Sequence, residues 1–258
     1  MALEIPILWQ GVMVTVLGLC LGSFLNVVII RLPRGRSIVS PSSRCGWCRS
    51  ALTIWQNLPI LGFLTSKGRC QKCAVPFSSR YLWIEVLSAF MSFAIWSTYG
   101  WTLSAIVMGS FALALIAISF IDLDLKIIPD ELSLGGWAVA LMLTALAPQH
   151  FRLSFVEALI GGVVGYGFFW MISRLYAFIR HEEGLGGGDV KLMGFVGAML
   201  GVQGVVTTVF VGALVGSLVG LFFVFIRGKT KHFPIPFGPF LAMGALVSLF
   251  YLDGWFWG

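Results

Sequence analysis

Long apolar stretches separated by short polar segments run through most of this chain. Seven stretches come close to the roughly 20 residues that a helix needs to cross a ~30 Å hydrocarbon core, and a shorter one follows Asp189. The stretches cover residues 8–30, 82–99, 102–121, 132–147, 155–173, 190–202, 204–226 and 234–251. The pattern predicts an all-α polytopic membrane protein with about eight transmembrane helices.

Composition supports a membrane protein and adds a domain division. The chain is 58% hydrophobic and 11% charged, whereas soluble domains have about 45–50% apolar and about 25% charged residues. One long polar segment separates the first two stretches, so we expect a first transmembrane helix in 1–30, a cytoplasmic loop domain in 31–81 and a membrane core in 82–258. The first stretch lacks a basic n-region, so we expect no removable signal peptide.

The distribution of basic residues predicts the orientation. If the first helix runs from outside to inside, the segments 31–81, 122–131, 174–191 and 227–233 are cytoplasmic. All of the 17 Lys and Arg residues except Arg152 then lie on the cytoplasmic side. Removing or adding one helix would destroy this separation. Eight spans with both termini outside is therefore the predicted topology.

The loop at 31–81 is strongly basic. It contains nine Lys and Arg residues and no Asp or Glu, so we expect it to lie against anionic lipid headgroups. The net charge of +6 therefore reflects the membrane topology. The sequence lacks the interleaved basic and aromatic residues that are typical of nucleic-acid binding. We expect membrane lipids, and no nucleic acid, as partners.

The same loop carries four of the five cysteines. They form two CxxC pairs, Cys45 with Cys48 and Cys70 with Cys73, separated by 21 residues. Paired CxxC motifs are typical of a structural zinc site with four thiolate ligands, and a reducing compartment disfavours disulfides. The alternative is four unbound thiols. Zinc would help a segment of this size, which has few large apolar residues, to fold.

Acidic residues cluster where predicted helices meet the cytoplasm. Asp122, Asp124 and Asp130 follow the third helix, and Asp189 begins the sixth, at the same predicted face. Two carboxyl groups that meet between helices share a proton, because both cannot ionise cheaply. One can then take a proton from water while the other hydrogen-bonds a scissile carbonyl. This is the chemistry of an aspartyl protease.

Simpler explanations exist for each acid. Asp130 follows a proline and precedes an apolar stretch, so we expect it to be a helix N-cap, and Asp189 has the same alternative. Asp124 is expected to be a solvated charge at a helix end. Glu85 lies inside the second predicted helix without an obvious partner. Two other functions also use such residues: a proton-coupled transporter, whose acids would lie near the bilayer midplane, and a non-catalytic assembly factor.

Several longer motifs resemble one family. The chain is similar, nearly throughout, to the type IV prepilin peptidases, membrane aspartyl proteases that also methylate the new N-terminus. Leu82 departs from the family, which usually has proline there. The motifs, in chain order, are LGSFLNVVIIRLPRG (21–35), the two CxxC pairs with WQNLPILGFL and KGRC between them, SSRYLWIE (78–85), IDLDLKIIPDELS (121–133), GGGDVKL (186–192) and IPFGPFLAMG (235–244).

The resemblance implies a catalytic pair and a reaction. Asp122 and Asp189 match the catalytic aspartates of the family. The expected substrates are prepilins or pseudopilins, cleaved after the terminal glycine of the leader at the cytoplasmic face of a bacterial inner membrane. S-adenosylmethionine would then methylate the exposed residue. The products would serve a type IV pilus or type II secretion.

The presence of three glycines directly before Asp189 requires an explanation, because runs of glycine weaken helices. Gly186, Gly187 and Gly188 are expected to leave room for an extended substrate backbone beside the carboxylates, and a flexible link between helices is the alternative. The leaders are expected to be basic, so Glu182 and Glu183 are candidates to bind them. The residues that hold S-adenosylmethionine are not identified by the sequence.

Overall fold

Helices are the main secondary structure of the computed structural model, which describes residues 6–181, 185–227 and 236–252. Residues 35–53 and 66–79 form turns and irregular loop, with two isolated β-bridges. The helices are α1 (Ile7–Arg31), α2 (Ile54–Asn57), α3 (Leu61–Thr65), α4 (Arg80–Tyr99), α5 (Leu103–Leu125), α6 (Asp130–Leu146), α7 (Phe155–Arg180), α8 (Gly187–Arg227) and α9 (Gly238–Leu252).

The predicted apolar stretches all correspond to helices or to helix segments. Stretches 190–202 and 204–226 lie in α8, whose 41 residues are interrupted at Gly201 (φ 71°, ψ −174°), a conformation that glycine adopts without a Cβ clash. With 17 and 15 residues, α6 and α9 are short for a bilayer, so the count of eight crossings stays a prediction. Five helices in the described residues are long and apolar enough to cross a membrane: Ile7–Arg34, Arg80–Tyr99, Leu103–Leu125, Phe155–Arg180 and Gly187–Phe222.

Packing divides the chain into two units, Met1–Ala117 and Ile118–Gly258, with the boundary inside α5. The boundaries of the predicted domains 1–30, 31–81 and 82–258 are the ends of the polar loop, whereas the packing divides the chain inside α5. They stay a prediction about sequence organisation.

In the first unit, α1 and α4 pack closely and run antiparallel. Gly18 lies against Ala89, and Gly22 lies against Glu85, so that an added Cβ would come within 2.7 Å of either partner's Cα. Small residues four positions apart let helix backbones approach in this way inside membranes.

In the second unit, the first half of α8 is the core. Every residue from Leu192 to Leu200 is buried, and α6, α7 and α9 all pack against α8. The closest approach is to α7, where Gly161 lies against the backbone of Gly197. A helix that is apolar on all sides suits a protein core or a membrane, and this part of α8 is enclosed by the neighbouring helices. This packing buries the beginning of α8, where Asp189 is located.

The contact between α7 and α8 can be tested at Gly161. A Cβ there would overlap the carbonyl oxygen of Gly197, and overpacking of this kind typically costs about 1–3 kcal/mol. We expect Gly161→Ala to lower the thermal unfolding temperature in detergent by several degrees. Gly167→Ala on the same helix is the control, because its Cβ would meet nothing within 4 Å. Equal unfolding temperatures for the two variants would contradict the packing.

Candidate active site and cysteine cluster

Asp122 is buried in the last turn of α5. Its side chain is 6% exposed, and the backbone N–H of Gly238, at the start of α9, donates to Oδ2 over 3.0 Å. A Cβ on Gly238 would lie 2.6 Å from the same oxygen. The carboxyl group is therefore fixed by a backbone donor, and only glycine leaves room for it there.

Asp189 is buried in the first turn of α8 and is 8% exposed. The prediction that it could be the N-cap is wrong, because α8 already begins at Gly187. Its own backbone N–H donates to the carbonyl of Gly186 (3.1 Å). The carboxyl group of Asp189 in turn accepts a hydrogen bond from the backbone of Gly186, the residue before the helix.

The segment after α5 holds the two carboxyl groups in one site. Gly188 packs on Ile128, where a Cβ would come within 2.9 Å of the isoleucine side chain. Lys191 Nζ lies 2.6 Å from Asp130 Oδ1. These contacts bring the start of α8 against the end of α5, and Asp122 and Asp189 interact electrostatically.

Two other acids of the motif at 121–133, Asp124 and Asp130, have other roles. Asp130 was expected to be the N-cap of its helix, and this is wrong: the N-cap is Pro129, and Asp130 is in the first turn, where a negative charge suits the helix dipole. Its side chain pairs with Lys191 instead. Asp124 is exposed at the end of α5, as expected for a solvated charge.

The three glycines differ in what surrounds them. Gly186 and Gly187 are exposed, and a Cβ on Gly187 would meet nothing within 4 Å. At Gly186 a Cβ would be in ordinary contact with Asp189 Oδ2, at 3.4 Å, whereas Gly188 is needed for packing. Among the described residues beyond its chain neighbours, no other side chain comes within 4 Å of the Cβ position at Gly186. Glu182 and Glu183 lie outside the described residues.

The four cysteines form one cluster in the first unit. All four Sγ atoms lie within 4.8 Å of one another, with Cys45 and Cys73 at 3.7 Å and Cys48 and Cys70 at 3.9 Å. Thiolates about 2.3 Å from a tetrahedral zinc ion are about 3.8 Å apart. The arrangement thus has the dimensions of a four-thiolate metal site.

Each CxxC pair is a small turn with the same geometry. The N–H of Cys45 donates to Ser50 O, and the N–H of Cys70 donates to Val75 O, both at 2.9 Å. The residue after each second cysteine has a positive φ, 55° at Arg49 and 56° at Ala74. The backbone thereby aims both thiols of a pair in one direction.

Backbone donors also favour the thiolate form that binds metals. Hydrogen bonds from the backbone of Cys73 and of Lys72 lower the pKa of the Cys70 thiol to about 6. A hydrogen bond from the Ser50 side chain, followed by one from its backbone, lowers the pKa of Cys48. Deprotonation, which metal binding requires, is therefore easier at these two thiols near neutral pH.

The most informative partner of the carboxyl pair was not predicted. The motif IPFGPFLAMG was recognised as characteristic, but its sequence carries no sign that the Gly238 N–H bonds Asp122, which is 116 residues away. The Lys191–Asp130 pair was missed for the same reason. The available signal was Gly238 itself, a glycine at the first position of a helix.

These features define a class: a multi-pass helical membrane protein with a buried aspartate pair and a four-cysteine cluster. Comparison with known proteins agrees. Residues 16–99 match the bacterial peptidase A24 N-terminal domain, and residues 109–221 match the type IV leader peptidase family. No solved structure matches the chain significantly.

Full-length relatives give the same result. Proteins named prepilin leader peptidase/N-methyltransferase are 32% identical in Pseudomonas putida (93% of this chain, 90% of the relative) and 34% identical in Aeromonas hydrophila (93% and 90%). A third, from Burkholderia pseudomallei strain K96243, is 34% identical (92% and 84%). The chain belongs to the type IV leader peptidase family, and the resemblance drawn from its motifs is confirmed.

Proposed function

We propose that the protein is an aspartic endopeptidase that removes the leaders of type IV prepilins or pseudopilins, and that it then methylates the new N-terminus. The observation that carries the proposal is the buried pair of Asp122 and Asp189. The names of the full-length relatives support the substrate and both activities. Buried carboxyl groups are costly in a membrane protein, and this cost favours a functional role for the pair.

The surroundings of the two aspartates support different roles. The Gly238 N–H hydrogen-bonds Asp122, which favours its charged form, so Asp122 is the base. Asp189, beside that charge, is the protonated partner and donates to the scissile carbonyl oxygen. Water loses a proton to Asp122 as it attacks the carbonyl carbon, and that proton passes to the departing amine nitrogen as the C–N bond breaks.

Loss of either carboxyl group should abolish cleavage. We expect Asp122→Asn and Asp189→Asn each to lower the rate of cleavage of a synthetic prepilin by about 10⁴-fold or more, and the double variant to be no slower than either, because the groups act as a unit. Asp124→Asn, an exposed acid on the same segment, is the control and should keep most of the rate. A single Asn variant at 122 or 189 that cleaves at the wild-type rate would refute the pair.

The proposed role of Gly238 is also testable. In Gly238→Ala, the new Cβ would crowd Asp122 Oδ2, and a displacement of about 1 Å in an active site can cost about 10²-fold in rate. We expect kcat to fall by about that factor while KM changes little. Gly220→Ala, whose Cβ would meet nothing within 4 Å, is the control. An unchanged kcat for Gly238→Ala would remove its assigned role.

The proposed route of the substrate to the active site rests on features of the sequence more than on the geometry of the site. The basic loops support a topology with the aspartate pair at the cytoplasmic face of a bacterial inner membrane and both termini outside. Basic leaders would be attracted by anionic headgroups and by Glu182 and Glu183. Gly186 and Gly187 would leave space for the extended backbone at the scissile bond. The exported products would assemble into a type IV pilus or a type II secretion pseudopilus.

We further propose that Cys45, Cys48, Cys70 and Cys73 hold one structural zinc ion. The sulfur separations support a tetrahedral ion, and four thiolates are typical of zinc or of iron–sulfur sites. With all four positions occupied by protein ligands, the ion would stabilise the loop and would have no open position for catalysis.

Metal content tests the zinc proposal. Purified protein should contain about one zinc ion per chain by elemental analysis, and Cys45→Ser should lose it. Cys20→Ser is the control, since Cys20 lies on α1 outside the cluster. Chelation should expose the 31–81 loop to proteolysis before the membrane helices unfold. Protein prepared under reducing conditions with no bound metal would refute the proposal.

A further inference from the structure

The loop between α1 and α4 exposes several large apolar side chains within one short segment. On α2, Ile54 is 82% exposed and Trp55 is 75% exposed; on α3, Leu61 and Leu64 are one turn apart and are 58% and 60% exposed. Single exposed apolar side chains are common, but a group of them marks contact with another protein or with a membrane. Residues 54–65 are called the α2–α3 segment below.

The other side of the α2–α3 segment is well packed. Gly62 is buried against the backbone of Gln56, and the ring of Phe63 lies against Gly68. The side-chain amide nitrogen of Gln56 is buried as well. Thr53 forms a capping box at the start of α2. The segment is therefore an ordered element with one packed side and one apolar, exposed side.

A hydrogen bond fixes the position of the α2–α3 segment along the membrane helices. The N–H of Ile60, between α2 and α3, donates to Glu85 Oε2 over 2.8 Å. Glu85 is the sixth residue of α4, which begins at Arg80, so it lies about 7.5 Å along that helix. The segment and the last turns of α1 also line one cavity. It thus lies beside the ends of two helices that are long enough to cross a membrane.

The charge of the surrounding loop identifies the kind of partner. Residues 31–81 contain nine Lys and Arg residues and no acid. Arg44, Lys67 and Arg69, which are near the segment in the structure or in the chain, are all exposed. Basic residues beside a membrane helix attract anionic headgroups. The lipid interface offers negative charge and apolar surface together, at the level where α1 ends and α4 begins.

We propose that the α2–α3 segment is an interfacial membrane anchor. Its apolar side inserts between the headgroups and the first carbons of the acyl chains, while basic residues of the loop contact anionic headgroups. Tryptophan is enriched at this level of membranes because its ring is apolar and carries one N–H donor. Amphipathic interfacial helices insert by about 5–10 Å, which agrees with the position of the bond to Glu85. The anchor holds the cysteine cluster of the same loop close to the bilayer.

A protein partner is the competing explanation for the exposed apolar side. A second copy of the chain or the apolar helix of a substrate could cover the same side chains. Such a partner has to be present before the side chains are covered. Lipid, in contrast, surrounds α1 and α4 in every membrane, so it covers them in the isolated protein.

The test measures the depth of a spin label on the segment. Leu64→Cys is made in full-length Cys20→Ser protein and labelled, and protein without the added cysteine reports any labelling of the clustered cysteines. In nanodiscs of phosphatidylethanolamine and phosphatidylglycerol with one copy each, paramagnetic resonance compares collisions with oxygen, which concentrates in hydrocarbon, and with a water-soluble nickel complex. Ser42→Cys, an exposed polar position of the same loop, is the control. We expect the oxygen-to-nickel ratio at residue 64 to be severalfold higher than at residue 42.

Two double variants test the apolar side itself. Trp55→Glu with Leu61→Glu places negative charges where the anchor meets lipid, and the ratio at residue 64 should fall to the value at residue 42. Trp55→Phe with Leu61→Met keeps the surface apolar and should preserve the ratio. Both positions are exposed, so neither change disturbs internal packing. The unfolding temperature and the metal content of each variant report whether the loop is folded.

Three results would overturn the anchor. The first is an equal ratio at residues 64 and 42 in protein without further changes. The second is a ratio that rises at residue 64 only when a prepilin is added or when a disc holds two copies, since this would identify a protein partner. The third is a folded double glutamate variant that keeps the high ratio. None of these measurements depends on peptidase activity, so the anchor and the proposed function are tested separately.

Discussion

The hydrogen bond from the Gly238 N–H to Asp122 is the interaction on which the second unit depends. Hydrocarbon offers no partner to a buried carboxyl group, so the group must be satisfied by protein. The backbone of α9 supplies that partner, and it can do so only because residue 238 has no side chain. The start of α9 and the end of α5 are thereby held together at the point where Asp189 also arrives.

Close helix packing serves the same purpose. Gly161 and Gly197 bring the backbones of α7 and α8 into contact, and α8 is buried from Leu192 to Leu200. A more distant α8 would leave Asp189 open to lipid or water. Glycine lowers helix propensity, yet Gly161 and Gly197 permit the close helix packing that buries the site of the two aspartates.

Local sequence predicted the helices, the cysteine cluster and the carboxyl pair, since each depends on apolar length, on CxxC spacing or on a recognised motif. It did not predict contacts between distant positions. Lys191 and Asp130 are 61 residues apart, and Glu85 and Ile60 are 25 residues apart. No periodicity in the sequence indicates either contact. The break between stretches 190–202 and 204–226 was predicted, and it falls at Gly201, whose φ and ψ are not helical.

The matching turns at Cys45–Cys48 and Cys70–Cys73 have a consequence for the chain between them. Each turn orients its own two sulfurs by hydrogen bonds within a few residues, so assembling the cluster means closing one loop between two preformed halves. The entropy of such a closure grows only logarithmically, by about 0.6 kcal/mol for each doubling of loop length. For the assembly of the cysteine cluster, the length of the connecting segment therefore matters little, whereas the few residues within each turn matter directly.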